Sequence, residues 1–192
     1  MKRRLWLQLA LVILLAPAAA CGMAAEVQVE QQGRRFLVSS QTVVAAEPAV
    51  AWRVLSDYDH LADFVPAMRS SRVISRPGQP LVIEQSGEAG VLLFRFTIDV
   101  VLDIDERPPH RLGFSARSGN MRQMRGEWRI EPEGAGIRLY YEAELEPAFW
   151  LPPLLGAALL RRDIASQIGG VVGEMERRQA RMNPQSITQP AK

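Results

Sequence analysis

Lysine is all but missing from this chain: it stands only at positions 2 and 192, so nearly every cation is an arginine. Cysteine occurs once, at Cys21, and histidine twice, at His60 and His110. A single cysteine excludes an internal disulfide and a thiolate metal cluster within the folded body. Two histidines, each at the edge of an expected element, are too few for most metal or triad schemes. Asp57, Asp59 and His60 stand close enough to suggest a ligand set, but helix capping is the simpler role for the aspartates. The chain also lacks GxSxG, HExxH, a phosphate-cradling glycine loop and a dinucleotide fingerprint, which leaves it without a catalytic motif of those classes.

What is present fits one domain with a real core: 192 residues, 47% hydrophobic and 23% charged. Residues 1–25 differ in kind. Lys2, Arg3 and Arg4 form a positive start, Leu5 to Leu15 an apolar run, and Pro17 to Ala20 a small-residue region, which together read as an export signal. The apolar run is short of the roughly 20 residues that span a bilayer. Three of the 23 basic residues lie in this segment, while all 21 acidic residues lie at or beyond Glu26. Without the segment, 20 basic residues face 21 acidic ones, a balance of −1, and nucleic-acid binding loses its main support. Ala18-Ala19-Ala20-Cys21-Gly22 is similar to a bacterial lipobox, with Ala18 where leucine is usual, so lipidation at Cys21 is one expectation. Cleavage after Ala20, Ala24 or Ala25 is the other. The expected location is the periplasm or an envelope membrane.

Alternation dominates residues 27–146 and predicts antiparallel strands joined by short turns. Val27 to Gln31 and Phe36 to Ala46 are two strands around Gly33; in the second, Phe36, Val38, Ser40, Thr42 and Val44 share a face. Met68 to Ser75, a Pro77-Gly78 turn and Leu81 to Ser86 follow, then a turn around Gly87 and Gly90. From Val91 to Asp105, Leu92, Phe94, Phe96, Ile98, Val100, Leu102 and Ile104 form a dry face with no ionisable residue. Pro108-Pro109 ends it. After a strand beginning at His110, Met124, Trp128 and Ile130 share a face with Gly126, and Ile137, Leu139, Tyr141, Ala143 and Leu145 do the same in the last strand. Such a greasy sheet face must be covered. The covering element is a helix from about Pro152 to Met182, with Ala157, Leu160, Ile164, Ile168, Val171 and Met175 at spacings of three and four. Gly169, Gly170 and Gly173 inside it cost roughly 1 kcal/mol each against alanine, which points to close packing or to space left for a ligand. Residues 183–192 are expected to be a disordered tail. The class is therefore α+β: a curved antiparallel sheet of about seven strands around a long C-terminal helix, in a domain spanning 26–182.

The segment from Glu47 to Ile74 is the most distinctive. Pro48 suits the first turn of a helix in which Trp52 and Leu55 share a face. Asp57 or Asp59 can cap a second helical turn through Phe64, stopped by Pro66. Ala49 to Ser71, Glu84-Gln85-Ser86-Gly87, Gly126-Glu127-Trp128 and the Pro152 helix together resemble the START-like (SRPBCC) superfamily, which includes polyketide cyclase/dehydrase-like and coenzyme Q-binding proteins. The resemblance covers about Val27 to Arg181. It implies a helix-grip fold with a cavity for a greasy ligand.

On that reading Phe94, Phe96, Met124, Trp128 and Tyr141 are the cavity's large inward residues, with Ser40, Thr42 and Tyr141 as polar contacts. Filling the core is the plainer account of each taken singly. Phe64, Val65 and Met68 meet the ligand from the lid; Ile164 and Ile168 do so from the helix. Phe149 and Trp150, set between prolines, form a gate, touch a membrane surface or staple the helix to the sheet. The expected function is noncovalent binding or transport of a lipid, isoprenoid quinone or polyketide-like molecule. The expected protein is a monomer with no cofactor and no bound metal. A cyclase/dehydrase-type enzyme using the same cavity is the runner-up. An envelope interaction module, hinted at by Glu142, Glu144 and Glu146, comes third.

Overall fold

The computed structural model describes residues 26–91, 94–149 and 156–182, and of 90, 91 and 94 the backbone alone. The strands are β1 (Glu26–Gln32), β2 (Arg35–Val44), β3 (Met68–Val73), β4 (Val82–Val91), β5 (Phe94–Arg107), β6 (Arg111–Gly119), β7 (Met121–Glu133) and β8 (Gly136–Pro147). Two helices, α1 (Pro48–Leu55) and α2 (Gly156–Met182), and a 3-10 turn at Tyr58–Asp63 complete the described chain. The eight strands form one antiparallel sheet in the order β1-β2-β8-β7-β6-β5-β4-β3. β1, and β3 to β7, each pair with the next strand in sequence, as short connections favour. The exception is β2, whose second neighbour is β8, so that the chain leaves the sheet through α1 before returning as β3 at the far edge.

Alternation decides which face is dry. Phe36, Val38, Ser40, Thr42 and Val44 of β2 are all buried, as are Ile137, Leu139, Tyr141, Ala143 and Leu145 of β8. Register places Ser40 opposite Tyr141 and Trp128 opposite Tyr141 from the other side. Along α2 the dry stripe is Ile164, Ile168, Val171 and Met175, and it seats the helix against the concave face. No described helix is long and apolar enough to cross a membrane.

The wet face is a lattice of cross-strand ion pairs. Arg35 Nε lies 3.0 Å from Glu144 Oε1, Arg125 donates to Glu144, and Arg129 donates to Glu142 at 2.8 Å. The acidic stripe of β8 is thus matched by arginines of β2 and β7.

Two local expectations change. Gly87 and Gly90 are not a turn: β4 runs through both, pairing them with Ile98 and Arg95. A Cβ at Gly87 would stand 2.9 Å from the Ala67 carbonyl oxygen, so close backbone approach accounts for the glycine. Neither aspartate caps the 3-10 turn by its side chain. Asp57 instead pairs with Arg178 and His60, and Asp59 accepts the backbone N–H of Val73, closing the edge of β3. The described part of α2 runs from Gly156, and the expected start at Pro152, like Cys21 and the 183–192 tail, lies outside the described residues.

Candidate ligand cavity

The core divides into two clusters, one under α1 and the 3-10 turn, the other under β1, β2 and the first half of α2. Phe114, Met121, Met124, Trp128 and Val172 pack against both. Between the clusters, two adjoining lobes of about 120 and 130 Å³ lie beneath α2. Met68, Gln85, Met124, Tyr141, Ile164 and Gln167 line both. Leu112, Phe114, Trp128 and Ile168 close the first lobe; Ile98, Met121, Leu145 and Leu160 close the second. A larger concavity of about 700 Å³ on the wet face is open to solvent and lined by paired charges such as Arg111, Glu127 and Asp105. The two lobes, more sheltered than that concavity and walled mainly by apolar side chains with a few polar groups, are the better ligand site.

Strand pairing builds the aromatic wall. Trp128 on β7 faces Tyr141 on β8, their ring centres 4.6 Å apart and tilted by 48°. Phe114 on β6 stacks beyond Tyr141 at 6.2 Å. Gly126 opposite Phe114 makes room: a Cβ there would lie 2.7 Å from Phe114 Cζ and 2.3 Å from the Glu142 carbonyl oxygen.

Each lobe is smaller than the several hundred Å³ of a usual small-molecule pocket. A lipid-sized guest therefore has to displace side chains, and methionines at 68, 121 and 124 are the cheapest to move because the thioether chain has many low-energy rotamers.

Two tyrosines bear on the chemistry. Burial pushes the Tyr141 hydroxyl well above the ordinary phenol range, so it enters any contact as a neutral donor or acceptor and not as a base. Among the described residues it has no hydrogen-bond partner. Tyr58, which lines the first lobe, donates to Glu106 Oε1 at 2.7 Å; burial and then that carboxylate raise its hydroxyl still further. No described group of three or more His, Cys, Asp or Glu residues is arranged to hold a metal.

Of the residues expected to meet a ligand, the structure brings Met68, Met124, Trp128, Tyr141, Ile164 and Ile168 together around the lobes, with Val65 beside them. Phe64 is not among them; its ring lies under the Arg178 guanidinium at 5.7 Å, because the 3-10 turn carries it toward α2. Phe96 stacks on Phe149 at 4.9 Å and 12°, outside both linings. Their pairing fastens the exit of β8 to β5. Ser40 and Thr42 are buried but line neither lobe. The Phe94 side chain and Trp150 are outside the described residues. Gln85 and Gln167 are polar residues lining both lobes that were not expected to meet a ligand. The signal was there: Gln85 is two residues after inward Ile83, and Gln167 three after inward Ile164.

Residues 44–171 match the family model described as polyketide cyclase / dehydrase and lipid transport, and the chain belongs to that family. No curated protein sequence matches it significantly. Among solved structures, a STAR-related lipid transfer protein from Xanthomonas axonopodis superposes with a TM-score of 0.64 at 12% identity, over 82% of this chain and 96% of that one. An aromatase/cyclase from a Streptomyces species gives 0.60 at 21% identity, over 75% and 95%. A START superfamily protein from Mycobacterium smegmatis gives 0.60 at 14%, over 76% and 98%. At these identities the likeness is one of fold, and it is the helix-grip fold of a curved antiparallel sheet around a C-terminal helix.

Proposed function

We propose that this member of the family binds a hydrophobic small molecule noncovalently between α2 and the sheet, and carries it in the cell envelope. The observation that supports this best is the pair of sheltered lobes that share Met124 and Ile164, the first walled by Trp128 and Phe114, with Tyr141 as a neutral polar contact. Burying on the order of 300 Å² of ligand surface at about 25 cal/mol per Å² gives a gross gain of about 7 kcal/mol, from which association costs are subtracted. That is ample for a carrier, which must also release its cargo. The envelope location rests on Lys2 to Arg4, the Leu5 to Leu15 run and the Ala-rich approach to Cys21.

Native mass spectrometry of the protein as processed by the cell, followed by organic extraction, tests the reading. The expected result is an apolar molecule that leaves with unfolding. A protein that arrives empty and also takes up no neutral fluorescent lipid analogue overturns it. Trp128→Arg, which puts a charge into the aromatic wall, is expected to abolish loading, with circular dichroism reporting whether the fold survives. The mass of the mature N-terminus distinguishes a lipidated Cys21 from cleavage at one of the alanines.

A further inference from the structure

Among the described residues, no cationic side chain lines either lobe. None of the arginines that make up nearly all of this chain's positive charge lines either lobe; the ionisable acids that do, Glu88 and Asp163, are carboxyl groups and belong to the second lobe alone. Glu88 is paired with Arg69 and lies 3.8 Å from Arg95, so those nearby cations already have a carboxylate partner. An anionic headgroup entering here would give up its hydration and find no countercharge in return.

Neutral polar groups, by contrast, converge where the lobes meet. Gln85 from β4, Gln167 from α2 and Tyr141 from β8 line both. Gln85 Nε2 donates to Ser71 Oγ at 3.3 Å, and among the described residues no donor reaches the Gln85 carbonyl oxygen. The Gln167 amide has no hydrogen-bond partner among those residues either. A side-chain amide offers both donors and an acceptor, and a phenol offers one of each, so the three can satisfy a carbonyl, a hydroxyl or a carboxamide.

We infer that the cavity selects an uncharged amphiphile, an apolar skeleton bearing a carbonyl, hydroxyl or carboxamide held between Gln85 and Gln167, and rejects the same skeleton ending in a carboxylate or phosphate. This rests on the cavity being a ligand site and adds the charge class of what enters it.

The test is competition between matched ligands. The protein is loaded with the neutral dye N-phenyl-1-naphthylamine and titrated with decanamide or with decanoate, which differ in the charge of the head and little in shape. Decanamide is expected to displace the dye at a concentration at least tenfold lower. Gln167→Leu, close to isosteric, is expected to weaken decanamide about tenfold and to narrow the gap between decanamide and decanoate, the effect of one lost hydrogen bond to a partly buried amide. Gln85→Leu provides the same reading from the opposite wall should the first variant misfold. Equal displacement by the two ligands, or decanamide affinity unmoved in both variants, overturns the charge selection and leaves the carrier reading standing. Failure of the parent protein to bind the dye overturns both.

Discussion

Arg178 donates from Nη2 to Asp57 Oδ2 at 2.8 Å, tying the second half of α2 to the residue that opens the 3-10 turn over the cavity. The same guanidinium donates from Nε to Glu174 at 2.7 Å and covers the ring of Phe64. Its side chain and that of Asp57 are 28% and 26% exposed, intermediate between a surface pair and a buried one. Arg178→Ala should therefore destabilise the protein by about 1 to 2 kcal/mol in urea denaturation, more than an ordinary surface ion pair contributes. Dye release in stopped flow should also quicken, because the lid loses its tie to the helix.

That cluster predicts an acid limb in the stability profile. Burial alone would raise the carboxyls of Asp57 and Glu174, but hydrogen bonds from His60 and Arg178 to the first, and from Arg178 and Arg177 to the second, outweigh it and hold both below their ordinary values of 3.8 and 4.5. A carboxyl with a lowered folded-state pKa stabilises above its unfolded value and loses that contribution as pH falls through the folded one. The melting temperature should fall as pH drops below 4.5, and less steeply in Arg178→Ala. His60 works in the other sense. Its hydrogen bond to Asp57 raises it above 6.5, so its small contribution is present below that pH and lost as the pH rises through the raised value. Profiles of equal acid slope in parent and Arg178→Ala would refute the assignment.

The helix glycines should separate cleanly. A Cβ at Gly170 would stand 2.3 Å from the Phe64 carbonyl oxygen and 2.6 Å from Pro66 Cδ, whereas at Gly169 it meets nothing within 4 Å. Gly170→Ala is expected to cost about 1 to 3 kcal/mol through the forced shift of the lid. Gly169→Ala should stabilise by about 0.5 to 1 kcal/mol through helix propensity alone. Thermal melts of the two variants check both signs.

Tyr141→Phe should leave stability unchanged or slightly improved, since the ring keeps its contacts with Trp128 and Phe114 and the lost hydroxyl has no described partner. Affinity for decanamide should drop several-fold in the same variant. A large loss of stability would show that the hydroxyl holds a structural bond.

Much of this architecture was legible from residue spacing. Period-two alternation assigned the inward faces of β2, β5, β7 and β8, and the three-and-four spacing of Ile164, Ile168, Val171 and Met175 assigned the buried stripe of α2, because those periods follow directly from strand and helix geometry. Less legible was where along each inward face the cavity would fall. Phe96 and Trp128 both point inward by alternation, yet Trp128 walls the first lobe and Phe96 stacks on Phe149 beyond either. Gln85 and Gln167, 82 positions apart in the sequence, carry no joint signal until β4 and α2 are set against each other.

Glycine reads the same way. Local propensity treats Gly87, Gly169 and Gly170 as breaks or costs, and the contacts separate them: close backbone approach at Gly87 and Gly170, open space at Gly169.

By itself, then, the chain's sequence determined the elements, their dry faces, the absence of cysteine chemistry from the folded body and the family outline, all of which follow from short-range periodicity and composition. The tertiary structure alone decided that Asp57 would bind Arg178 in place of capping its own turn, that the acidic stripe of β8 would be matched by Arg35, Arg125 and Arg129, and that three neutral polar groups would meet where no arginine reaches. The reason is physical: a side chain's partners across a wrapped sheet are set by register and by the seating of one helix, and neither is encoded within a single element.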